Sequence, residues 1–558
     1  MLGTTAQPSS SRTPATRVFM QCLAPLLLLS LGLMLSGCAV METYMVEMRD
    51  GALLATDVYL PSRDNDSWPV LLIRTPYGRD ENEALFDFAE DYALVIQDVR
   101  GRYDSEGDYH PFIDDGWGEK QDGYDTVAWI LGQPWCNGKI GTFGASADGI
   151  TQELLAGSAP PSPGVTCQFI RFAPTDLYSQ IVFQGGAFLE ALVTGWLEGQ
   201  GASEWVETFK QHPSYDSFWE LGNVEPRAGF ISAPAVHVGG WYDMALRGSI
   251  NGFLTRQAEG IGPARGNQRL LIGPWTHGGI NTTVQGEIQF PDVSIMNQKN
   301  IFERWINYWL RGRDNGIMDT LPVVYYVMGD TQAFAAPGNE WREAQTWPPF
   351  TMAPTPYYLQ PEGVLAPVEA AAGNASSTYV FDPENPVPTR GGANLTIDAG
   401  PYDQSSIESR ADVLLFSTAT LAQPLEVTGD LKAVLYVSSD AADTDFTAKL
   451  TDVYPDGRSM LIADGIIRAR YRNSLSRPEL MTPGTIYRLE IDLWATSIII
   501  NTGHRIRLAV SSSNYPRFDA NPNTGGDTFD KGIMIKATNT IYYNSTYPSH
   551  ILLPVVSR

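Results

Sequence analysis

The stretch GKIGTFGASADGITQELLAGSAP, from Gly138 to Pro160, sets how the rest of the chain is read. A β-branched, glycine-studded run meets a lone serine, Ser146, and then a run with helical spacing. That is the pattern of a strand, a tight turn and a helix. A serine on such an elbow carries its hydroxyl at the top of a sheet beside a helix N-terminus, the setting of an activated nucleophile. The usual elbow pattern, G-x-S-x-G, is not met. Gly144-Ala145-Ser146-Ala147-Asp148-Gly149 has its second glycine one place late. On its own, Ser146 is either a nucleophile or a small residue in a glycine-rich turn.

The flanking segments supply the context. TYMVEMRDGALLATDVYLP alternates across an Asp50-Gly51 turn and predicts a hairpin. WPVLLIRTPY and YALVIQDVRG follow as short buried strands. DGYDTVAWILGQ predicts an amphipathic helix with Tyr124, Val127, Ala128 and Leu131 on its apolar stripe. After the elbow and its helix comes the strand CQFIRFAP. Strands alternating with helices predict an open parallel α/β sheet. Residues 178–228, rich in Trp and Phe, read as a helical cap over the strand ends, and the sheet resumes with APAVHVGGWYD and QRLLIGPWTH. The α/β catalytic domain is thus expected over 38–319. From 320 to 558, short strands from LPVVYYVMG to HRIRLAVSSS recur between turns, the pattern of an all-β sandwich or jelly roll.

A serine nucleophile needs a base, an acid to orient that base, and donors for the oxyanion. In an open α/β sheet these stand at strand ends in the chain order serine, acid, histidine. Of the six histidines, only His277 stands just past a strand of the sheet domain, in LLIGPWTHGG, where Gly278 and Gly279 suggest a mobile loop. His237 lies inside the apolar PAVHVGG strand, as a core residue would, and His110, His212, His504 and His550 lie elsewhere. Asp243 ends APAVHVGGWYD and is either the acid or a helix cap ahead of MALRGSINGFL. The Ala147 N–H opens the helix after Ser146, placed to donate to an oxyanion. Tyr77 follows LLIRTP, where its hydroxyl supplies a second donor or its ring packs in a proline turn. The acids Asp98, Asp104, Glu106 and Asp108 do not fit a calcium-loop spacing, and Arg100 and Arg102 between them predict a structural ion-pair loop with no metal.

Composition sets outer bounds. A chain of 558 residues, 43% hydrophobic, has room for two to four globular domains, and a net charge of −25 argues against a nucleic-acid surface. Arg12 and Arg17 precede the apolar run Cys22 to Leu35, too short to span a bilayer comfortably, so 1–37 reads as a signal peptide. The run ends in Leu35-Ser36-Gly37-Cys38, which resembles a bacterial lipobox. That implies cleavage before Cys38 and its lipidation, with the lipid as the only membrane anchor. Ala39 and Val40 after the cysteine favour the outer membrane. Cys136 and Cys167 would then be left to form a disulfide or to stay as two buried thiols.

The motifs IRTPYGR, VIQDVRGRYDSEGDYHPF, GKIGTFGASADG, GGWYD and IGPWTH, with GHRIRLAVSSSNYPRFDANPNTGG near the C-terminus, resemble the cocaine-esterase and X-prolyl dipeptidyl-peptidase family of serine hydrolases. The resemblance implies an α/β-hydrolase domain with a helical cap and a C-terminal jelly roll. It also implies Ser146, Asp243 and His277 as the triad, Tyr77 and Ala147 as oxyanion donors, a small ester or amide substrate, and no cofactor. X-prolyl dipeptide release is the alternative activity, and an inert glycan-binding lipoprotein is the non-enzymatic one. Two departures matter. The family often has tyrosine where Ala147 stands, which widens the pocket. Met244, Ala245, Leu246 and Arg247 follow Asp243, without the carboxylates by which α-amino-acid ester hydrolases hold a substrate ammonium.

Overall fold

The computed structural model describes residues 40–556 apart from 62–66, 82–87, 159–163, 334, 352 and 370–371. The expected leader and Cys38 lie outside the described residues. Strands β1 (Val40–Glu47) and β2 (Leu53–Leu60) form the hairpin expected across Asp50-Gly51. They begin a ten-stranded sheet whose further strands are β3 (Trp68–Thr75), β4 (Ala93–Asp98), β5 (Cys136–Ala145), β6 (Val165–Arg171), β7 (Ala235–Tyr242), β8 (Arg269–Thr276), β9 (Val323–Val327) and β10 (Glu340–Ala344). The order is β1-β2-β4-β3-β5-β6-β7-β8-β9-β10. Pairing is parallel from β4 through β9, while β2 against β4 and β10 against β9 are antiparallel.

Apolar runs without alternation make these strands because both faces are covered. Helices α1 (Asp122–Leu131), α2 (Ala147–Ala156) and α5 (Leu246–Glu259) cover one face, and α6 (Gln298–Arg311) covers the other. Along β3, Val70 and Leu72 pack with Val127, Ile130 and Leu155, whereas Leu71 and Ile73 pack with Phe302, Trp305 and Leu310. Residues 178–228 carry α3 (Glu190–Gly199) and α4 (Glu204–Lys210), with short turns between them.

The second sheet has eleven strands, built on the long antiparallel pair Leu425–Ser439 and Tyr487–Ile500, and it carries no long helix among the described residues. The two sheets join through Met328, whose N–H donates to Ser497 O at 2.9 Å and whose carbonyl accepts from Ile499 N–H at 2.9 Å. The α/β-then-β architecture is the one expected.

Two expectations are corrected, and of two alternatives left open for the cysteines one is found. LPVVYYVMG was assigned to the β domain from 320, but it forms β9, parallel to β8, and the first sheet runs on to Ala344. A short apolar strand carries no mark of which sheet it will join. Next, the buried face of α1 is Asp122, Gly123, Thr126, Val127 and Ile130, with Ala128 exposed. Polar side chains are buried there because they are paired: Arg100 donates to both Asp122 oxygens at 2.9 and 2.7 Å, and the Thr126 hydroxyl donates to Gln97 at 2.8 Å. Finally, Cys136 and Cys167 are free thiols. Neighbouring β5 and β6 are parallel, as expected, but the register sets Cys167 opposite Gly141. Cys136 lies five residues back along the strand, roughly 16 Å at 3.3 Å per residue, far beyond the reach of about 7 Å for a disulfide.

Candidate active site

Ser146 lies between the end of β5 and the first turn of α2, at φ +58° and ψ −122°. A side chain in that region costs on the order of 1–3 kcal/mol and is held by its surroundings. Here the Ser146 N–H donates to Arg171 O at 3.0 Å, and its carbonyl takes the N–H groups of Gly149 and Ile150, both at 2.9 Å. The late glycine has a steric reason. A Cβ on Gly149 would stand 2.7 Å from the Ala173 Cβ, so glycine there lets α2 close on the end of β6. On the other side, a Cβ on Gly144 would stand 2.4 Å from the Asp148 Cβ. The tight positions are therefore 144 and 149, and 148 has room for a carboxylate. Asp148 does not line the cavity described below; it lies near Arg171 and opposes the lowering that burial imposes on that guanidinium.

Asp243 and His277 follow β7 and β8, two adjacent strands. Nδ1 of His277 lies 2.6 Å from Oδ2 of Asp243, a carboxylate with no exposed surface. The other oxygen, Oδ1, accepts the Ala245 N–H at 2.7 Å just ahead of α5, so one carboxylate serves both the turn and the histidine. The loop after His277 is braced, not loose as its glycines suggested. Oε1 of Gln285 accepts the Thr276 N–H at 2.9 Å, and Nε2 of Gln285 donates to Gly279 O at 2.7 Å and Thr282 O at 2.8 Å.

Tyr77 stands in the loop after β3, its N–H on the Thr75 hydroxyl at 3.1 Å. Its hydroxyl meets the Ser146 side chain and the Ala147 N–H. Burial raises the phenol above its ordinary range, and these contacts pull the other way. The Ala147 N–H lies in the first turn of the helix, where backbone donors lack intrahelical partners. A tyrosine hydroxyl, a backbone N–H and a serine hydroxyl thus converge on one point, which is what a tetrahedral oxyanion requires. The loop that carries Tyr77 is held by Arg79, which pairs with Asp57 at 3.0 Å, with Asp98, and with Asp104 at 2.9 Å. The acids Asp98 and Asp104 are thus paired, but by Arg79 and not by the arginines expected: Arg100 reaches Asp50 and Asp122, and Arg102 donates to Pro76 O and to Gln200. No metal-binding cluster occurs among the described residues.

Above Ser146 opens a cavity of about 610 Å³ including its mouth. Ala147, Ile150 and Phe172 line it from the sheet side, and Leu192, Trp196, Phe209 and Trp219 line it from the cap. Leu395 comes from the 390–400 loop of the β region. The neighbouring Thr396 donates its hydroxyl to Ala191 O at 2.6 Å, and its side chain packs where a Cβ on Gly195 would be, so this loop is tied to α3. Among the described residues of the lining, Ser146 carries the one hydroxyl and none is charged. Arg247 turns away and binds Asp430 and Asp492, both at 2.7 Å. His237 is a buried core residue, as expected, beside Glu153 and Gln268. Trp196, Leu395 and Gln285 carried no sequence signal. Each acquires its place through contacts across the fold.

Residues 50–204 and 197–279 match the X-Pro dipeptidyl-peptidase (S15 family), and residues 315–552 match the X-Pro dipeptidyl-peptidase C-terminal non-catalytic domain. The chain is 35% identical to the cocaine esterase of Rhodococcus sp. (strain MB1 Bresler), over 93% of this chain and 99% of that protein. An aminopeptidase from the marine sediment archaeon Thaumarchaeota archaeon superposes with a TM-score of 0.81 at 26% identity, covering 93% of this chain and 97% of its own. An α-amino acid ester hydrolase superposes with a TM-score of 0.80 at 25% identity, covering 94% and 98%. With a relative of that identity along nearly its whole length, the chain belongs to the cocaine-esterase and X-prolyl dipeptidyl-peptidase family of serine hydrolases.

Proposed function

We propose that the chain is a serine esterase for substrates with an uncharged, apolar acyl group, acting through a Ser146 acyl-enzyme. The observation that carries this reading is the uncharged cavity that opens on the Ser146 hydroxyl. His277 takes the Ser146 proton as Oγ attacks the ester carbonyl, and Asp243, bonded to Nδ1, orients the imidazole and stabilises its cation. The Tyr77 hydroxyl and the Ala147 N–H hold the oxyanion. His277 then returns the proton to the leaving alcohol, and water releases the acid by the same steps in reverse order. Neither a metal nor a cofactor is required by these residues.

An X-prolyl dipeptidyl peptidase must hold a free amino terminus, and among the described residues no carboxylate lines this cavity to do so. The esterase reading is therefore favoured. A fluorophosphonate probe should label the wild type and leave Ser146→Ala unlabelled, and Ser146→Ala should lose at least about 10³-fold in turnover of short acyl esters. Equal labelling of both proteins would overturn the assignment. Cys38 is proposed as the lipid-bearing residue of an exported bacterial lipoprotein, supported by the preceding Leu35-Ser36-Gly37 and the apolar run.

A further inference from the structure

We propose that Trp196 on cap helix α3 is a positioning residue of the oxyanion hole, directing the Tyr77 hydroxyl proton toward the reacting carbonyl. The inference rests on the Ser146 reading above and extends it to the cap. The Trp196 indole N–H donates to the Tyr77 hydroxyl oxygen at 3.3 Å. An indole can only donate, so Tyr77 is the acceptor in this contact and its own proton is free to point elsewhere. The same hydroxyl also meets the Ser146 side chain and the Ala147 N–H. An acceptor that is itself hydrogen-bonded also becomes a stronger donor, because chained hydrogen bonds polarise one another.

Phe112 packs against the indole, and Arg102 ties α3 to the loop that carries Tyr77. The indole ring stacks on Phe112, with centroids 5.6 Å apart and 26° between planes. Arg102 fixes the spacing of helix and loop. Its Nε donates to Pro76 O at 3.2 Å, one residue before Tyr77, and its Nη1 donates to Gln200 O at 2.6 Å, one helical turn after Trp196. The cap is thereby set on the oxyanion loop, and the oxyanion hole is complete only when α3 is seated.

Trp196→Phe keeps a stacked ring and removes the N–H. For p-nitrophenyl esters of apolar acids, it is expected to lower kcat about 3- to 10-fold, the worth of one neutral hydrogen bond, with KM within twofold of wild type. In a Tyr77→Phe background, itself expected to lose about 10²-fold, the same change is expected to cost nothing more. A structural role alone would lower kcat by the same factor in both backgrounds. The inference is overturned by a kcat within 1.5-fold of wild type, by a loss confined to KM, or by losses that multiply. Ser146→Ala, run beside these variants, separates the two claims. Full activity there defeats the nucleophile assignment, whereas an inactive Ser146→Ala with an unaffected Trp196→Phe defeats only the role of the indole.

Discussion

Adding one ammonium group to an otherwise identical substrate should cost this enzyme at least about 100-fold in kcat/KM. The pair to compare is the p-nitrophenyl ester of phenylacetic acid and that of phenylglycine, which differ by an α-amine. In the proposed reaction the acyl group enters a chamber whose described lining offers one hydroxyl, that of Ser146, and no carboxylate. An ammonium there loses water without gaining a counter-charge. The effective penalty for a buried charge after relaxation is several kcal/mol, and about 3 kcal/mol already corresponds to more than 100-fold. Raising the pH from 6 to 9 carries a free α-amine through its pKa of about 8 and should close most of the gap. Because both esters are measured on the same protein at the same pH, any pH effect common to the two cancels in the ratio. Leu192→Asp, which places a carboxylate on the cap wall, should narrow the ratio at pH 6, and a ratio within one protein does not depend on how much of it is folded. A ratio within threefold at pH 6, or a preference for the amine, would refute the reasoning and favour α-amino ester hydrolysis.

Two further outcomes are expected. Lys449 is buried in the second sheet, its Nζ on Gln404 Oε1 at 3.3 Å, and burial lowers its pKa to about 8 from 10.5. The unfolded chain then keeps its proton to higher pH than the folded one, so stability is reduced in full below pH 8 and recovers as pH rises toward 10.5, by up to about 3 kcal/mol. Lys449→Met should therefore raise the denaturation midpoint at pH 7 by a margin that shrinks above pH 8, and an equal or lower midpoint at pH 7 would count against it. Expressed with its leader, the protein should partition into detergent and carry the added mass of acyl chains, and Cys38→Ser should do neither.

Much of the site was legible because the α/β pattern turns chain order into spatial order. Ser146, Asp243 and His277 each end a strand, and adjacent β7 and β8 bring the last two within 2.6 Å. The late glycine was legible as a departure, but its cause was not, since the contact of Gly149 with Ala173 exists only once α2 lies on β6. The choice between a disulfide and two thiols turned on register, which cysteine spacing does not encode. The stripe on α1 failed because a period of apolar residues cannot show that Asp122 and Thr126 are buried by partners from other segments. Trp196 and Leu395 were out of reach for the same reason: one serves a tyrosine 119 residues earlier, the other a cavity whose serine is far upstream.

The loop that carries Leu395 gives the protein a division of labour along its chain. The wall of the cavity above Ser146 is partly furnished by a loop of the β region, latched to α3 through Thr396. If the cavity takes the acyl group as proposed, substitutions in that loop remould which acids are accepted while α2 and the strained elbow at Ser146 stay untouched. Selectivity can thus diverge between relatives, or be reshaped in the laboratory, without the losses that changes beside Ser146 would bring.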